Sequence, residues 1–181
     1  MASKSSIRKS IRIGGASGFW GDSSVGAPQL VQLGKVDYVV FDYLAELTMS
    51  VLAAARLKNA ELGYATDFVT VTMKTILKDV VAKNIKIVSN AGGMNPHDCA
   101  AALTAIAAEQ GVAIRIAVVE GDDVLPLIPS LREKGILELQ SGAPLPERLL
   151  SANAYLGSQP IVHALSQGAH VVITGRDSAP L

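Results

Sequence analysis

Three acidic residues stand where their carboxylates could act on a ligand. Asp42 directly follows an apolar run, and Glu46 lies four residues later across the start of a predicted helix. Asp122 follows a second apolar run. Carboxylates that converge at one edge can act as a general base or hold a hard divalent ion. The alternative is that Asp42 and Asp122 cap helices, so the sequence leaves both interpretations open.

A glycine-rich stretch at residues 11–23, IRIGGASGFWGDS, is typical of a loop that approaches a ligand closely. Glycine lets backbone N–H groups reach an anion such as phosphate. The candidate contacts are Gly14, Gly15, Ser17, Gly18 and Asp22. Neither G-x-G-x-x-G nor G-x-x-x-x-G-K-[ST] is present, so no standard nucleotide fingerprint supports the prediction. The alternative is a tight turn with Trp20 packed over the end of a sheet.

A second glycine loop, SNAGGMNPH at residues 89–97, leads into a clear helix start. Asn95 is the expected N-cap and Pro96 the first helical residue. A helix N-terminus carries free N–H groups and a partial positive charge, which suits carboxylate or phosphate. The candidate contacts are Asn90, Gly92, Gly93 and Asn95. His97 in the first turn could serve as acid, base or donor, or could point to solvent.

Two shorter loops add further candidate ligand contacts. The loop EGDD contains Glu120 and Gly121, and the loop GRD contains Gly175 and Arg176. An arginine side chain can bind carboxylate or phosphate through two parallel hydrogen bonds. The alternative for Arg176 is an ion pair with a neighbouring acid such as Asp177.

Other catalytic and metal sites lack sequence support. The three histidines have no Cys or His partner at transition-metal spacing, and G-x-S-x-G is absent. Cys99, the one cysteine, excludes an internal disulfide. It is expected to be a small buried side chain, with a thiol of lowered pKa near the helix start as the alternative.

The candidate loops follow short apolar runs that predict strands buried on both faces. These runs are residues 11–13, 38–41, 85–88, 114–119 and 170–175, and helical patterns lie between them at 44–60, 70–83 and 95–110. Alternation of this kind predicts an α/β fold: an open, mostly parallel sheet of about five strands with helices on both faces, in a Rossmann-like three-layer architecture. The loops at the carboxyl ends of such strands converge on the ligand site.

Three segments depart from this rhythm. Residues 136–159 contain four Gly or Pro residues and form either a surface loop or a cover that brings Asn153 and Tyr155 to the site. Residues 1–10 are basic and serine-rich, which predicts a disordered tail, with a weak organellar signal as the alternative. The sequence stops soon after its last strand. That strand should therefore lie at an edge of the sheet, or the helix that covers it should belong to a longer protein.

Composition narrows the class of protein. The chain has 181 residues, of which 49% are hydrophobic, with 16 basic and 16 acidic side chains. This balance of charge argues against nucleic acid or an anionic membrane as partner. We therefore expect a cytoplasmic protein with one α/β domain over residues 11–181.

The loops together resemble the acyclic terpene utilisation (AtuA-like) family. The matching stretches lie in order over residues 11–178 and are IRIGGASGFWGDS, VDYVVFDYLAELTMSVLA, KIVSNAGGMNP, VAIRIAVVEGDDV, SANAYLG and HVVITGRDSA. The resemblance implies a role in the breakdown of branched acyclic terpenoids such as citronellol and geraniol, beside acyl-CoA carboxylases and hydratases. Family members are longer, which implies that this chain is the N-terminal part of a longer family domain.

Two functions follow from the resemblance and the loops. One is an enzyme or enzyme subunit that acts on a coenzyme A thioester or a related small anionic ligand, with a divalent metal as a further option. The other is a non-catalytic binding or assembly module for an acyl-CoA carboxylase or hydratase. A truncated, inactive product and a homo-oligomer are also compatible with the sequence.

Overall fold

The computed structural model describes residues 10–177, in which strands and helices alternate. The strands are β1 (Ile13–Ser17), β2 (Tyr38–Phe41), β3 (Lys86–Ser89), β4 (Ile116–Val119) and β5 (Val171–Thr174). The α-helices are α1 (Gly26–Leu33), α2 (Glu46–Lys58), α3 (Lys74–Ala82), α4 (Pro96–Glu109), α5 (Ile128–Glu133) and α6 (Gln159–Ser166). A π-helical turn, Phe68–Met73, runs directly into α3. The tail predicted at residues 1–10 lies outside the described residues, apart from Ser10.

The five strands form one open sheet in the order β1-β2-β3-β5-β4, and every pair is parallel. This confirms the predicted α/β fold. The chain passes from β3 over the position of β5 to reach β4, and then returns through α6 to β5. The loops after β3 and β4 therefore flank the carboxyl end of the strand between them.

The sheet separates two apolar clusters, because successive residues of a strand point to opposite faces. Ile87 of β3 belongs to the larger cluster, which α1, α3 and α4 cover. Val88, the next residue, belongs to the smaller cluster, in which Ile161 of α6 is buried. Helices thus lie on both faces and complete three layers. Among residues 10–177, no helix is both long and apolar enough to cross a membrane.

The first strand differs from the prediction that it would end at residue 13. β1 continues to Ser17, so Gly14, Gly15 and Ser17 lie in the strand and not in the loop that follows it. A Cβ on Gly14 would lie 2.9 Å from Leu30 Cδ2, so the glycine lets α1 pack closely on the sheet. Glycine in a strand interior often marks such a close approach.

The last strand also differs from the prediction. The expectation that β5 would lie at an edge or lack cover is wrong, because β5 is paired on both sides and all four of its residues are buried. Helix α4 contacts β5 and belongs to the larger cluster, while α6 packs against it in the smaller one. The cover comes from helices that precede β5 in the chain.

Candidate functional site

Asn90 joins the carboxyl ends of β2, β3 and β5. Its Nδ2 donates to Asp42 Oδ1 at 2.7 Å and to Asp177 Oδ1 at 3.3 Å. Its Oδ1 accepts from the backbone N–H of Tyr43 at 2.7 Å. The side chain is buried, so each of these bonds replaces one that water would otherwise make. Asn90 therefore holds three loops together, whatever else it contacts.

Asp177 completes this cluster as a buried carboxyl group. Burial raises its pKa above the ordinary value, and the nearby Asp42 carboxylate adds to the rise. Hydrogen bonds from Asn90 and Thr174 oppose the shift. Asp177 thus retains its proton to a higher pH than a solvated aspartate would.

Asp122 anchors a segment that crosses the carboxyl edge. We call residues 151–156 the strap. Asp122 Oδ2 accepts from Asn153 Nδ2 at 2.9 Å and from the backbone N–H of Arg176 at 2.8 Å. The backbone N–H of Ala154 donates to the Asp122 carbonyl at 2.7 Å. A Cβ on Gly175 would lie 2.5 Å from Asp122 Oδ2, so only glycine leaves room for this carboxylate.

Arg176 fastens the other part of the strap to the loop after β2. Its guanidinium lies 3.0 Å from Glu46 Oε1 and donates to the Tyr155 hydroxyl at 2.8 Å and to the Leu44 carbonyl. Tyr155 in turn donates to Glu46 at 3.1 Å. The Glu46 pKa is lowered, chiefly by a hydrogen bond from its own backbone amide, with further contributions from Tyr155 and Arg176. Arg176 pairs with Glu46, then, and not with the adjacent Asp177.

A crevice of about 210 Å³ opens between the loops after β3 and β4. It is lined by Arg56, Asn153 and residues 93–97 and 120–123. The β3 loop leads to α4 on one face of the sheet, and the β4 loop leads towards α6 on the other. The two loops therefore diverge around the carboxyl end of β5, and crevices outside the carboxyl ends of parallel strands are where open α/β sheets bind ligands. At its mouth His97 Nε2 lies 2.7 Å from Glu120 Oε1.

A second cavity, of about 260 Å³, lies on the other side of the strap. Glu46, Met49, Tyr155 and Arg176 are among its lining residues. Asn153 lines both this cavity and the crevice, so the strap is the partition between them. The structure thus brings Asn153 and Tyr155 to the carboxyl edge, as the interpretation of residues 136–159 as a cover expects.

The loop after β1 lies apart from the crevice. Gly18 donates its backbone N–H to Asp22 Oδ2 at 2.9 Å, which closes the loop on itself. Trp20 Nε1 donates to Asp67 Oδ1 at 2.5 Å. Asp22 and Asp67 line a separate cavity of about 330 Å³ beside the π-helical turn. The predicted contacts from the first loop are therefore not among the residues that line the crevice.

The glycines of the second loop are required by packing. A Cβ on Gly92 would lie 2.5 Å from the Thr174 carbonyl oxygen, and Gly93 has a φ of +52°. Asn95 caps α4 as predicted, since its Oδ1 accepts from the Asp98 N–H at 3.4 Å. Gly93 and Asn95 line the crevice and Gly121 lies opposite them, whereas Gly92 does not line it.

The structure bears on two sequence predictions, the burial of Cys99 and a divalent metal site. Cys99 is fully buried in the larger cluster, and burial raises its thiol pKa, which confirms the expectation of a core side chain. Within residues 10–177, no group of three or more His, Cys, Asp or Glu side chains is arranged to hold a metal ion. Carboxylate oxygens at this edge instead accept from amide groups, since Asn90 donates to Asp42 and Asp177 and Asn153 donates to Asp122.

Sequence reasoning missed Arg56 and Asp67. Arg56 lies near the end of α2 and donates to the Met94 carbonyl, which brings it to the crevice. Its only sequence signal is that of a basic residue near a helix C-terminus, which is common and points to no site. Asp67 precedes the π-helical turn, and nothing in its local sequence indicates contact with Trp20.

Comparison with known proteins identifies a family. The sequence model described as acyclic terpene utilisation family protein AtuA matches residues 11–181. No curated protein and no solved structure matches the chain. The match covers nearly the entire sequence, including every strand and helix that surrounds the crevice.

Proposed function

Because the chain belongs to the acyclic terpene utilisation family AtuA, we propose that it acts in the breakdown of branched acyclic terpenoids or the acyl compounds derived from them, with its ligand held in the crevice. The location is supported by the crevice at the carboxyl end of β5, where the loops after β3 and β4 diverge. Loops from β3 and β4 meet the strap there and enclose about 210 Å³. Ligands of open α/β sheets bind at such positions.

Charge suggests which part of a ligand enters the crevice. Three carboxylates line it, those of Glu120, Asp122 and Asp123, against the cationic Arg56. Phosphate groups would be repelled by this excess of negative charge. We therefore place an uncharged, branched acyl portion in the crevice, with any coenzyme A phosphates outside it.

The experiment is a thermal-shift screen of the chain with coenzyme A, branched acyl-CoA thioesters, ATP, nicotinamide dinucleotides and Mg²⁺. Specific binding at a hundred times the dissociation constant stabilises a protein by about 2.7 kcal/mol. We expect a shift with a branched acyl thioester that disappears in His97→Trp, since the larger ring fills the mouth of the crevice. The matched control is His163→Trp, because His163 is exposed on α6 and does not line the crevice. No shift with any compound, or an equal shift in both variants, contradicts the proposal.

A non-catalytic assembly module is the second candidate. The favouring observation is an open groove of about 590 Å³ between β4 and α6, beside the edge of β4 that pairs with no strand within residues 10–177. Unpaired strand edges are templates for association with another chain. A stoichiometric complex with an acyl-CoA carboxylase or hydratase subunit, without any ligand shift, would favour this function. Light scattering on the chain alone separates such a complex from a homo-oligomer.

A further inference from the structure

His97 and Glu120 form an ion pair that the fold does not need. His97 comes from the first turn of α4 and Glu120 from the loop after β4, yet Nε2 and Oε1 lie 2.7 Å apart. The side chains are 66% and 58% exposed, so neither contributes to the core. Exposed pairs of this kind add little to stability. Both side chains line the crevice, which indicates a role in ligand binding or chemistry and not in folding.

The pairing leaves one nitrogen of the imidazole available. Nε2 faces the carboxylate, and Nδ1 has no partner within residues 10–177. A carboxylate that holds one ring nitrogen fixes the tautomer with the proton on that nitrogen. The lone pair of Nδ1 is then free to accept a proton, which is the arrangement of a histidine base oriented by an acid.

The residues around His97 are mostly acidic and favour an uncharged ligand. Asp122 and Asp123 from the β4 loop line the same crevice, and Asp98 follows in the same helical turn. Arg56 from α2 is the opposing cation. An anionic substrate group would be repelled by these carboxylates.

We propose that His97 is the proton-transferring residue of this crevice and Glu120 the residue that positions it, acting on a C–H group beside a carbonyl. The C–H bond breaks, the proton goes to Nδ1, and the electron pair moves to the carbonyl oxygen to give an enolate. Arg56 is the cation in the crevice that can offset this charge. Return of the proton to carbon restores the ligand, so no oxidant or co-reactant is needed. This inference rests on the proposed function, because it requires a carbonyl ligand in the crevice.

The test measures exchange of that hydrogen for deuterium. The probe is the N-acetylcysteamine thioester of 3-methylbutanoic acid, which is uncharged and branched, in D₂O with the full chain. General-base catalysis contributes about 10²- to 10⁴-fold, so His97→Gln is expected to lower the exchange rate by at least about 10²-fold. His163→Gln, the matched control, should leave the rate unchanged.

Glu120→Gln tests the positioning role through the pH profile. The variant keeps a hydrogen-bonding oxygen but removes the charge, so the imidazolium loses its closest carboxylate. We expect a smaller loss of rate than in His97→Gln, and the limb of the pH profile on which the rate falls in acid should move to lower pH. An unshifted profile contradicts the role of Glu120.

The outcomes separate this inference from the function on which it rests. If the probe raises the melting temperature but exchanges no faster than in buffer, or equally fast in His97→Gln, proton transfer by His97 is wrong and the ligand site stands. If the probe gives no thermal shift, the proposed ligand class fails and this inference falls with it. A ¹⁵N NMR spectrum of the unliganded chain adds an independent check, since a neutral His97 ring protonated on Nδ1 would overturn the proposal.

Discussion

Asn90 is the residue whose replacement would disturb the carboxyl edge most directly. Asn90→Ala would leave the buried N–H of Tyr43 without its acceptor at 2.7 Å. Asp177 would lose one donor and keep the contact from Thr174 at 3.2 Å. Asp42 is half-buried and can regain water, so its loss is smaller. The structure thus predicts a destabilised edge without a large cavity.

The loss of stability in Asn90→Ala can be worked out from the hydrogen bonds that are removed. The buried Tyr43 N–H, left without a partner, costs about 1–3 kcal/mol, and the one hydrogen bond lost by Asp177 costs about 1 kcal/mol, so we expect a total loss of about 3 kcal/mol. For a chain of this size, each 1 kcal/mol lowers the melting temperature by about 2–4 °C, which gives a fall of about 6–12 °C. The loss should be smaller in mild acid, because a protonated Asp177 no longer needs the donor for its charge.

Urea unfolding at neutral and mildly acidic pH measures this prediction. Asn59→Ala is the matched control, because Asn59 is exposed and its side chain accepts from the Glu61 N–H at 3.0 Å. Exposed substitutions usually change the free energy of unfolding by less than about 0.5 kcal/mol. If Asn90→Ala costs no more than Asn59→Ala, the hydrogen bonds of Asn90 do not hold the edge and the reasoning is refuted.

Three further changes test the core, the buried acid and the strap. Leu103→Ala removes a fully buried side chain of α4 and is expected to cost about 2–5 kcal/mol in urea unfolding; a smaller loss would mean that the core around it collapses into the space. Asp177→Asn should be more stable than the wild type at neutral pH. The native pKa of Asp177 is raised above its ordinary value of 3.8, so the wild type loses stability as the pH rises from 3.8 through the native pKa. Melting curves over pH should show the two proteins converge in acid, and a constant gap would contradict the shift. Gly175→Ala should lower the free energy of unfolding by about 1–3 kcal/mol, because the new methyl group displaces Asp122. In the control, Gly157→Ala, the methyl group meets no atom within 4 Å and should have no effect. Equal melting temperatures for the two variants would show that Asp122 can move freely.

Local sequence signals predicted the five strands and helices α2, α3 and α4, but not α1 or α5. The runs YVVF and VVIT are strands β2 and β5, and Asn95 with Pro96 begins α4. These features depend on residues close together in the chain, such as β-branched side chains in strands and a cap at a helix start. The parallel α/β class follows because strands and helices alternate.

Strand order was beyond local signals, and the candidate site depends on it. The same alternation is compatible with β5 at an edge or inside the sheet, and the structure places it between β3 and β4. That choice brings the loop after β4 to α4, where Glu120 meets His97, and brings Arg176 to Glu46, 130 residues away. The sequence therefore determines which residues carry the chemistry, whereas packing of the whole sheet decides which of them meet, because long-range contacts depend on strand order and no local pattern encodes it.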